Sequence, residues 1–167
     1  MKHYCVFETR EGFVALLGKN DKLQRSTLPK KTRELALETL DAGVSEQAVE
    51  DIAAFGDLPD RLIRYFEGKR VDFSDIELDL CARGFHAEVQ RAARNIPYGE
   101  LVTYRDLARM AGRERAARSA GTAMAKNMLP IIVPCHRVVA SGGKIGGFSS
   151  GLEWKRSLLK IEGVDID

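Results

Sequence analysis

A cysteine and a histidine stand side by side just past an apolar stretch. Residues 129–139 read LPIIVPCHRVV. The β-branched run before Pro134 predicts a buried strand, and a proline, which cannot donate to a sheet ladder, predicts that the strand ends or kinks there. Cys135 and His136 follow directly. A thiol held by a proline turn is a candidate nucleophile, and a small buried hydrophobe beside a core histidine is an equal alternative.

The adjacency of Cys135 and His136 restricts their chemistry. Neighbouring side chains in an extended chain point to opposite faces, so we expect the imidazole not to reach the thiol directly. A water molecule between them can carry the proton. This argues against a hydrolase whose histidine touches its cysteine, and it favours a thiolate formed through a relay.

Composition excludes several other classes of site. The cysteines Cys5, Cys81 and Cys135 are far apart and form no CxxC pair, so we expect neither a disulfide framework nor a zinc cluster. The three histidines have no metal-ligand spacing. We therefore expect no metal and no cofactor.

No apolar run approaches the roughly 18 residues of a membrane span. The N-terminus shows no apolar signal-peptide core. We therefore expect a cytoplasmic protein without a membrane partner.

Charge is distributed unevenly along the chain. Residues 1–79 hold 12 Lys and Arg against 16 Asp and Glu, whereas residues 80–167 hold 14 against 8. A basic C-terminal half indicates an anionic partner, with nucleic acid the leading candidate. A solvated charged face is the alternative.

The sequence of the N-terminal half, residues 1–79, predicts a support domain, because it shows no set of residues typical of a catalytic site. Alternating apolar residues predict strands at 4–7, 13–17 and 23–28. Helices are expected at 31–42, at 45–53 with Ser45 as its cap, and from 57 to Gly68. Residues 71–80 read as a partly extended connection.

The C-terminal half, residues 80–167, predicts helices at 85–95, 104–110 with Thr103 as its cap, 113–126 and 152–161. The short glycine-containing turn between the second and third is typical of a helix-turn-helix. The third is rich in small residues that suit either a packed helix or a DNA groove, and its arginines favour DNA. Residues 141–148 read as a flexible glycine-rich hairpin or wing.

Six segments together resemble one family, the O6-alkylguanine-DNA alkyltransferases. They are PCHRV at 134–138, IPYGE at 96–100, TYRDLA at 103–108, AARSAGTAM at 116–124, GFS at 147–149 and LLKIEG at 158–163. The resemblance spans about residues 85–163. It implies an α+β fold, with an N-terminal α/β roll similar to ribonuclease H and a mostly helical C-terminal domain with a winged helix-turn-helix.

The resemblance also implies a reaction. O6-alkylguanine is flipped out of double-stranded DNA, and its alkyl group passes irreversibly to the cysteine of a single-use, monomeric protein. O4-alkylthymine stays open as a second substrate. Cys135 would be the nucleophile, His136 would take its proton through water, and Glu162 would orient His136. Asn127 would tie the recognition helix to the active-site segment.

The same resemblance assigns residues to the DNA and the base. Arg118 would fill the space left by the flipped nucleotide, and Tyr104 would crowd a phosphate and bond the base. The rest of the set comprises backbone groups of Val138 and Ser149, the pocket walls Met124 and Phe148, and the DNA contacts Arg105, Ala117 and Ser141. Some relatives have tyrosine at the position of Phe148, and a proline often stands at that of Glu114.

Two other functions compete with repair. A DNA-binding module related to the same family would lack the cysteine, which Cys135 argues against. A cysteine hydrolase would need a histidine facing the thiol and an oxyanion hole.

Overall fold

The computed structural model describes residues 1–166. The chain divides into two compact units, Met1–Asp79 and a second that begins at Leu80. Within the described residues, a four-stranded sheet and three helices form the first unit, and four helices and one pair of short strands form the second. The expected α+β class is confirmed.

The sheet of the first unit begins as an antiparallel meander. Its strands are β1 (Lys2–Thr9), β2 (Gly12–Lys19) and β3 (Lys22–Ser26), and β4 (Val49–Glu50) pairs in parallel with β1, giving the order β3-β2-β1-β4. Asn20 and Asp21 both have positive φ between β2 and β3. Two left-handed residues make the hairpin turn whose twist matches its strands.

The helices of the first unit are α1 (Arg33–Leu40), α2 (Val44–Gln47) and α3 (Leu58–Phe66). Ala36 and Leu40 of α1 and Val44 of α2 join Tyr4 and Leu17 of the sheet in a buried cluster. This packing covers one side of the sheet with helices.

One element of the first unit was predicted wrongly. Residues 45–53 do not form a Ser45-capped helix, because Val49 and Glu50 pair with His3 and Tyr4 at the sheet edge. A 3₁₀ turn, Ile52–Phe55, follows. The β-branched Val49 fits a sheet edge, so tertiary pairing overrides the helical spacing.

The second unit contains α4 (Gly84–Ala93), β5 (Val102–Thr103), α5 (Tyr104–Met110), α6 (Ala117–Ala125), β6 (Val138–Val139) and α7 (Leu152–Ile161). β5 and β6 pair in parallel. Ala120 and Ala123 of α6 are fully buried, and Gln90 of α4 donates to the Ala123 carbonyl at 3.1 Å. The small residues of α6 therefore serve helix packing on this side.

Two local predictions in the second unit are wrong. Helix α6 begins at Ala117 rather than Arg113, because Ala116 has non-helical backbone angles. Residues 129–133 form a turn rather than a strand, with the Val133 amide donating to the Leu129 carbonyl at 2.8 Å. The glycine-rich segment 141–148 begins with a 3₁₀ turn, Ser141–Gly143, which the Ala140 amide closes by donating to the Lys144 carbonyl at 2.9 Å.

Thr103 positions α5 through a capping box. Its hydroxyl accepts from the Asp106 amide at 3.0 Å, and the Asp106 carboxylate accepts from the Thr103 amide at 3.2 Å. These hydrogen bonds also lower the pKa of Asp106.

We predict that Thr103→Ala lowers the free energy of unfolding by about 1 kcal/mol, because it removes the cap acceptor. Denaturant unfolding measures the change. Thr122→Ala is the control, since the exposed Thr122 hydroxyl only donates back to the Arg118 carbonyl within α6, and it should cost less than about 0.5 kcal/mol. Equal losses would contradict a capping role.

Candidate functional site

Cys135 lies at the start of a one-turn 3₁₀ helix, Cys135–Arg137, between Pro134 and β6. Its side chain is buried. The expectation of an extended chain here is wrong, since the turn replaces the strand. The Cys135 amide donates to the Val133 carbonyl at 2.8 Å, which helps to close the turn.

Asn127, two residues past α6, holds this turn together. Its Nδ2 donates to the Val133 carbonyl at 2.9 Å and to Cys135 Sγ at 3.2 Å, and its Oδ1 accepts from the Leu129 amide at 3.0 Å. The side chain thus uses both ends of its amide to close residues 127–135 into one loop. It links the end of α6 to the thiol.

The surroundings of Cys135 disfavour ionisation of its thiol. Burial raises its pKa, and the Asn127 hydrogen bond, the positive charge of Lys155 and two backbone groups oppose that rise without overcoming it. A thiol is a weak nucleophile compared with a thiolate. Nucleophilic attack by this sulfur would therefore require an acceptor for the proton.

His136 is fully buried and paired with Glu162, the residue that follows α7. Its Nε2 lies 2.5 Å from Glu162 Oε2. An ionised carboxylate only accepts hydrogen bonds, so Nε2 carries the proton and Nδ1 is the basic nitrogen. Burial lowers the pKa of His136, and the contact with Glu162 opposes this effect.

Arg137 is part of the same cluster, and sequence reasoning missed it. Its Nε donates to Glu162 Oε1 at 2.8 Å, a terminal nitrogen donates to Oε2 at 3.1 Å, and the other donates to the Ile96 carbonyl at 2.7 Å. The guanidinium also lies 5.7 Å from the ring centre of Tyr98. The only sequence signal was an arginine inside an apolar run.

Glu162 remains ionised although it is buried. Burial alone would raise its pKa, but hydrogen bonds and charges from His136 and Arg137 lower it well below the usual range. Its Oε1 also accepts from the Gly99 amide at 2.9 Å. One carboxylate therefore joins α7 to the turn of Cys135 and to the segment before β5.

Lys155 is the second residue that sequence reasoning missed. It is fully buried in α7, and its Nζ donates to the Val138 carbonyl at 2.6 Å and the Gly147 carbonyl at 2.9 Å. Burial lowers its pKa to about 8, while the charge of Cys135 opposes this. Helical spacing places it on one face with Leu158, Leu159 and Glu162, and that register was the available signal.

A pocket of about 100 Å³ opens beside the thiol. It is lined by Tyr104, Gly121, Met124, Ala125, Cys135, Gly147, Phe148 and Ser149. The Tyr104 hydroxyl donates to the Gly147 carbonyl at 3.3 Å. A side chain at Gly146, where φ is positive, would come within about 3 Å of the Tyr104 ring, so glycine there permits the wall to form.

The residues predicted for the base and the DNA separate into two groups. Tyr104, Met124, Phe148 and Ser149 line the pocket with Cys135. Arg105, Ala117, Arg118, Val138 and Ser141 do not line it. Arg105 and Arg118 are exposed on α5 and α6, Ser141 is exposed on its turn, and Val138 is buried in β6.

The other cysteines differ from Cys135. Cys5 lies buried in the sheet of the first unit, and burial raises the pKa of its thiol to about 12. Cys81 is exposed. A larger cavity, of about 580 Å³, lies within the first unit and contains no cysteine.

Ligand groups for a metal do not come together in the described part of the chain, where no three His, Cys, Asp or Glu side chains cluster. In residues 1–166, no helix is both long enough and apolar enough to cross a bilayer.

Comparison with known families decides what kind of site this is. Residues 84–164 match the model of the 6-O-methylguanine DNA methyltransferase DNA-binding domain, and residues 5–80 match that of the ribonuclease-like domain of the same protein. The chain belongs to the 6-O-methylguanine DNA methyltransferase family. The resemblance inferred from the sequence is confirmed, including its ribonuclease-like N-terminal half.

Individual relatives agree with this assignment. The methylated-DNA–protein-cysteine methyltransferase of Methanosarcina acetivorans is 35% identical over 96% of this chain and 98% of its own. The crystal structure of the Mycobacterium tuberculosis O6-methylguanine methyltransferase is 35% identical, covers 97% of this chain and 93% of its own, and has a TM-score of 0.78. The Mycobacterium tuberculosis OGT in complex with DNA is 32% identical over 96% of this chain and 93% of its own, with a TM-score of 0.75.

We predict a distinct pH dependence of stability from Lys155. Its folded pKa of about 8 lies below the ordinary 10.5, so the unfolded chain binds more protons between these values and the free energy of unfolding rises with pH. Lys155→Met should lose this rise, which can reach about 1.4 kcal/mol per pH unit. Unfolding by denaturant from pH 7.5 to 10 measures it.

The exposed Lys160 of α7 provides the matched control. Lys160→Met should keep the pH dependence of the wild type. Parallel curves for the wild type and Lys155→Met would show that Lys155 keeps an ordinary pKa in the fold.

Proposed function

We propose that this protein repairs O6-alkylguanine in duplex DNA by transferring the alkyl group to Cys135 Sγ. The observation that carries the proposal is a thiol at the wall of a pocket, with a buried His136–Glu162 pair beginning at the next residue of the same turn. The family to which the chain belongs supports the substrate. The relative whose structure contains DNA supports duplex DNA as the partner.

The reaction balances without a cofactor. The Cys135 thiol gives up its proton, and the thiolate attacks the alkyl carbon. A sulfur–carbon bond forms while the bond from carbon to guanine O6 breaks, and the electron pair stays on the base, which takes up a proton. The product is a thioether and an unmodified guanine. A thioether has no ready leaving group, so each molecule acts once.

The buried cluster supplies the proton acceptor. In the proposed relay, a water passes the Cys135 proton to Nδ1 of His136, whose Nε2–H is fixed by Glu162. A carboxylate in this position selects the tautomer and stabilises the imidazolium that forms. This is the orienting role expected for Glu162 from the resemblance.

Arg137 supports the charge of Glu162. After proton transfer, the thiolate and Glu162 carry two negative charges, and the imidazolium, Arg137 and Lys155 carry three positive ones. Without Arg137, the imidazolium would be the only charged partner in direct contact with the buried Glu162 carboxylate, and a buried charge with fewer partners is costly. We assign Arg137 as a positioning residue for Glu162.

The DNA-binding surface is proposed to be the helix-turn-helix of α5 and α6. Arg118 is exposed near the start of α6 and would occupy the gap left by the flipped nucleotide. Ala117 would permit close approach to the groove, and Arg105 and Ser141 would contact the backbone. Flipping costs a few kcal/mol, which contacts of this kind offset.

The pocket residues would hold the flipped guanine. Met124 and Phe148 provide apolar walls, and Tyr104 and a backbone group of Ser149 would form hydrogen bonds to the base. Val138, which lies outside this lining, would offer a further backbone group. Phe148 has no hydroxyl, so it cannot donate to the base. The unit formed by residues 1–79 would act as a support, and the protein would work as a monomer in the cytoplasm.

Intact mass after reaction with a duplex carrying O6-methylguanine tests the function. We predict that the wild type gains one methyl group on Cys135, located by peptide mapping, and that Cys135→Ala gains none while still binding the duplex. An unchanged mass of the wild-type protein would contradict alkyl transfer and would favour a DNA-binding module without chemistry. Methylation of Cys5 or Cys81 in the variant would remove Cys135 from its assigned role.

We predict that Glu162→Gln slows alkyl transfer about 100-fold at neutral pH while duplex affinity stays unchanged. Glutamine keeps the size but cannot stabilise the imidazolium, so the thiol should react only at higher pH. The rate of transfer from free O6-benzylguanine, followed from pH 6 to 10, measures the shift.

Arg137 variants separate its charge from its hydrogen bonds. Arg137→Lys should shift the pH dependence of the transfer rate less than Arg137→Met does. Lysine keeps the positive charge and loses only the bidentate geometry. A lowered melting temperature with an unshifted pH profile would show that Arg137 serves the fold alone.

A further inference from the structure

Glu114 bridges two arginines at the helix-turn-helix. It lies in the turn between α5 and α6, and its Oε1 is 3.2 Å from a terminal nitrogen of Arg105 and 3.4 Å from one of Arg109. All three side chains are at least half exposed. The carboxylate therefore occupies the position where the two guanidinium groups converge.

The arrangement resembles the way two arginines hold a phosphate. Arg105 and Arg109 are four residues apart on α5, so they share one face and would repel each other if nothing lay between them. A carboxylate oxygen that accepts from both guanidinium groups occupies the place a DNA phosphate oxygen would take. Glu114 thus places a carboxylate of the protein itself where the two arginines would hold a phosphate of DNA.

The contribution of these pairs lies in local charge rather than in stability. Exposed ion pairs contribute little to folding. Asp106 Oδ1 also lies 3.7 Å from Arg109, so two arginines and two carboxylates cancel here. Glu114 and Asp106 thus offset Arg105 and Arg109 locally, while Arg113 and Arg115 on either side of Glu114 keep the turn as a whole basic.

We propose that Glu114 competes with DNA phosphate for Arg105 and Arg109 and thereby weakens binding to undamaged duplex. The inference rests on the proposed function, since it takes α5 and α6 as the DNA-binding surface. Non-specific affinity comes almost entirely from phosphate contacts. A single-use protein that must search long stretches of intact DNA gains from shorter stays on each of them.

The test is the affinity of Glu114→Gln for an undamaged duplex, measured by fluorescence anisotropy at several salt concentrations. The affinity should rise about three- to tenfold at low salt. The slope of log K against log salt should become steeper by about one, the value for one added phosphate contact. Transfer from free O6-benzylguanine, which carries no phosphate, should stay at the wild-type rate.

Two further variants make the result specific. Glu88→Gln removes the same charge from an exposed site on α4 that joins no ion pair within residues 1–166, and it should change affinity less than twofold. Adding Arg105→Gln and Arg109→Gln to Glu114→Gln should cancel the gain.

Equal or weaker duplex binding by Glu114→Gln, or an equal gain in Glu88→Gln, would overturn the proposal. Failure of the proposed function would appear elsewhere, as a wild-type protein that acquires no methyl group. The anisotropy measurement does not depend on that transfer.

Discussion

The buried carboxylate of Glu162 is the contact on which the C-terminal unit depends. It accepts hydrogen bonds from His136 and Arg137, which share one turn, and from the Gly99 amide. The end of α7, the Cys135–Arg137 turn and the segment before β5 therefore meet at one ion. A buried charge is tolerated only when its partners surround it. The contact from His136 among these also fixes the imidazole tautomer, so the proposed proton relay would use atoms on which the fold also depends.

A second centre, at Asn127, holds the thiol itself. An amide presents a donor and an acceptor at once, and Asn127 uses both, on the Val133 carbonyl and the Leu129 amide, while also reaching Cys135 Sγ. The two centres divide the work. Asn127 fixes where the sulfur lies, and Glu162 fixes the orientation of the His136 ring.

Sequence reasoning succeeded where local signals agree with the fold and failed where distant contacts decide. The cap at Thr103 and the limits of α7 follow from neighbouring residues, and both were predicted. Val49 pairs with β1, and residues 129–133 are turned by a side chain outside the run, so periodicity misassigned both. Arg137 and Lys155 were not predicted as site residues. Their contacts with carbonyl and carboxylate oxygens join segments that are far apart in the sequence.

The packing around Cys135 also bears on how long the unused protein stays competent. Oxidation by peroxide requires an accessible thiolate, and this sulfur is buried with a raised pKa. Exposed Cys81 would encounter oxidants first. Burial and a raised pKa therefore both disfavour oxidation of the Cys135 sulfur, whereas Cys81 lacks the protection of burial.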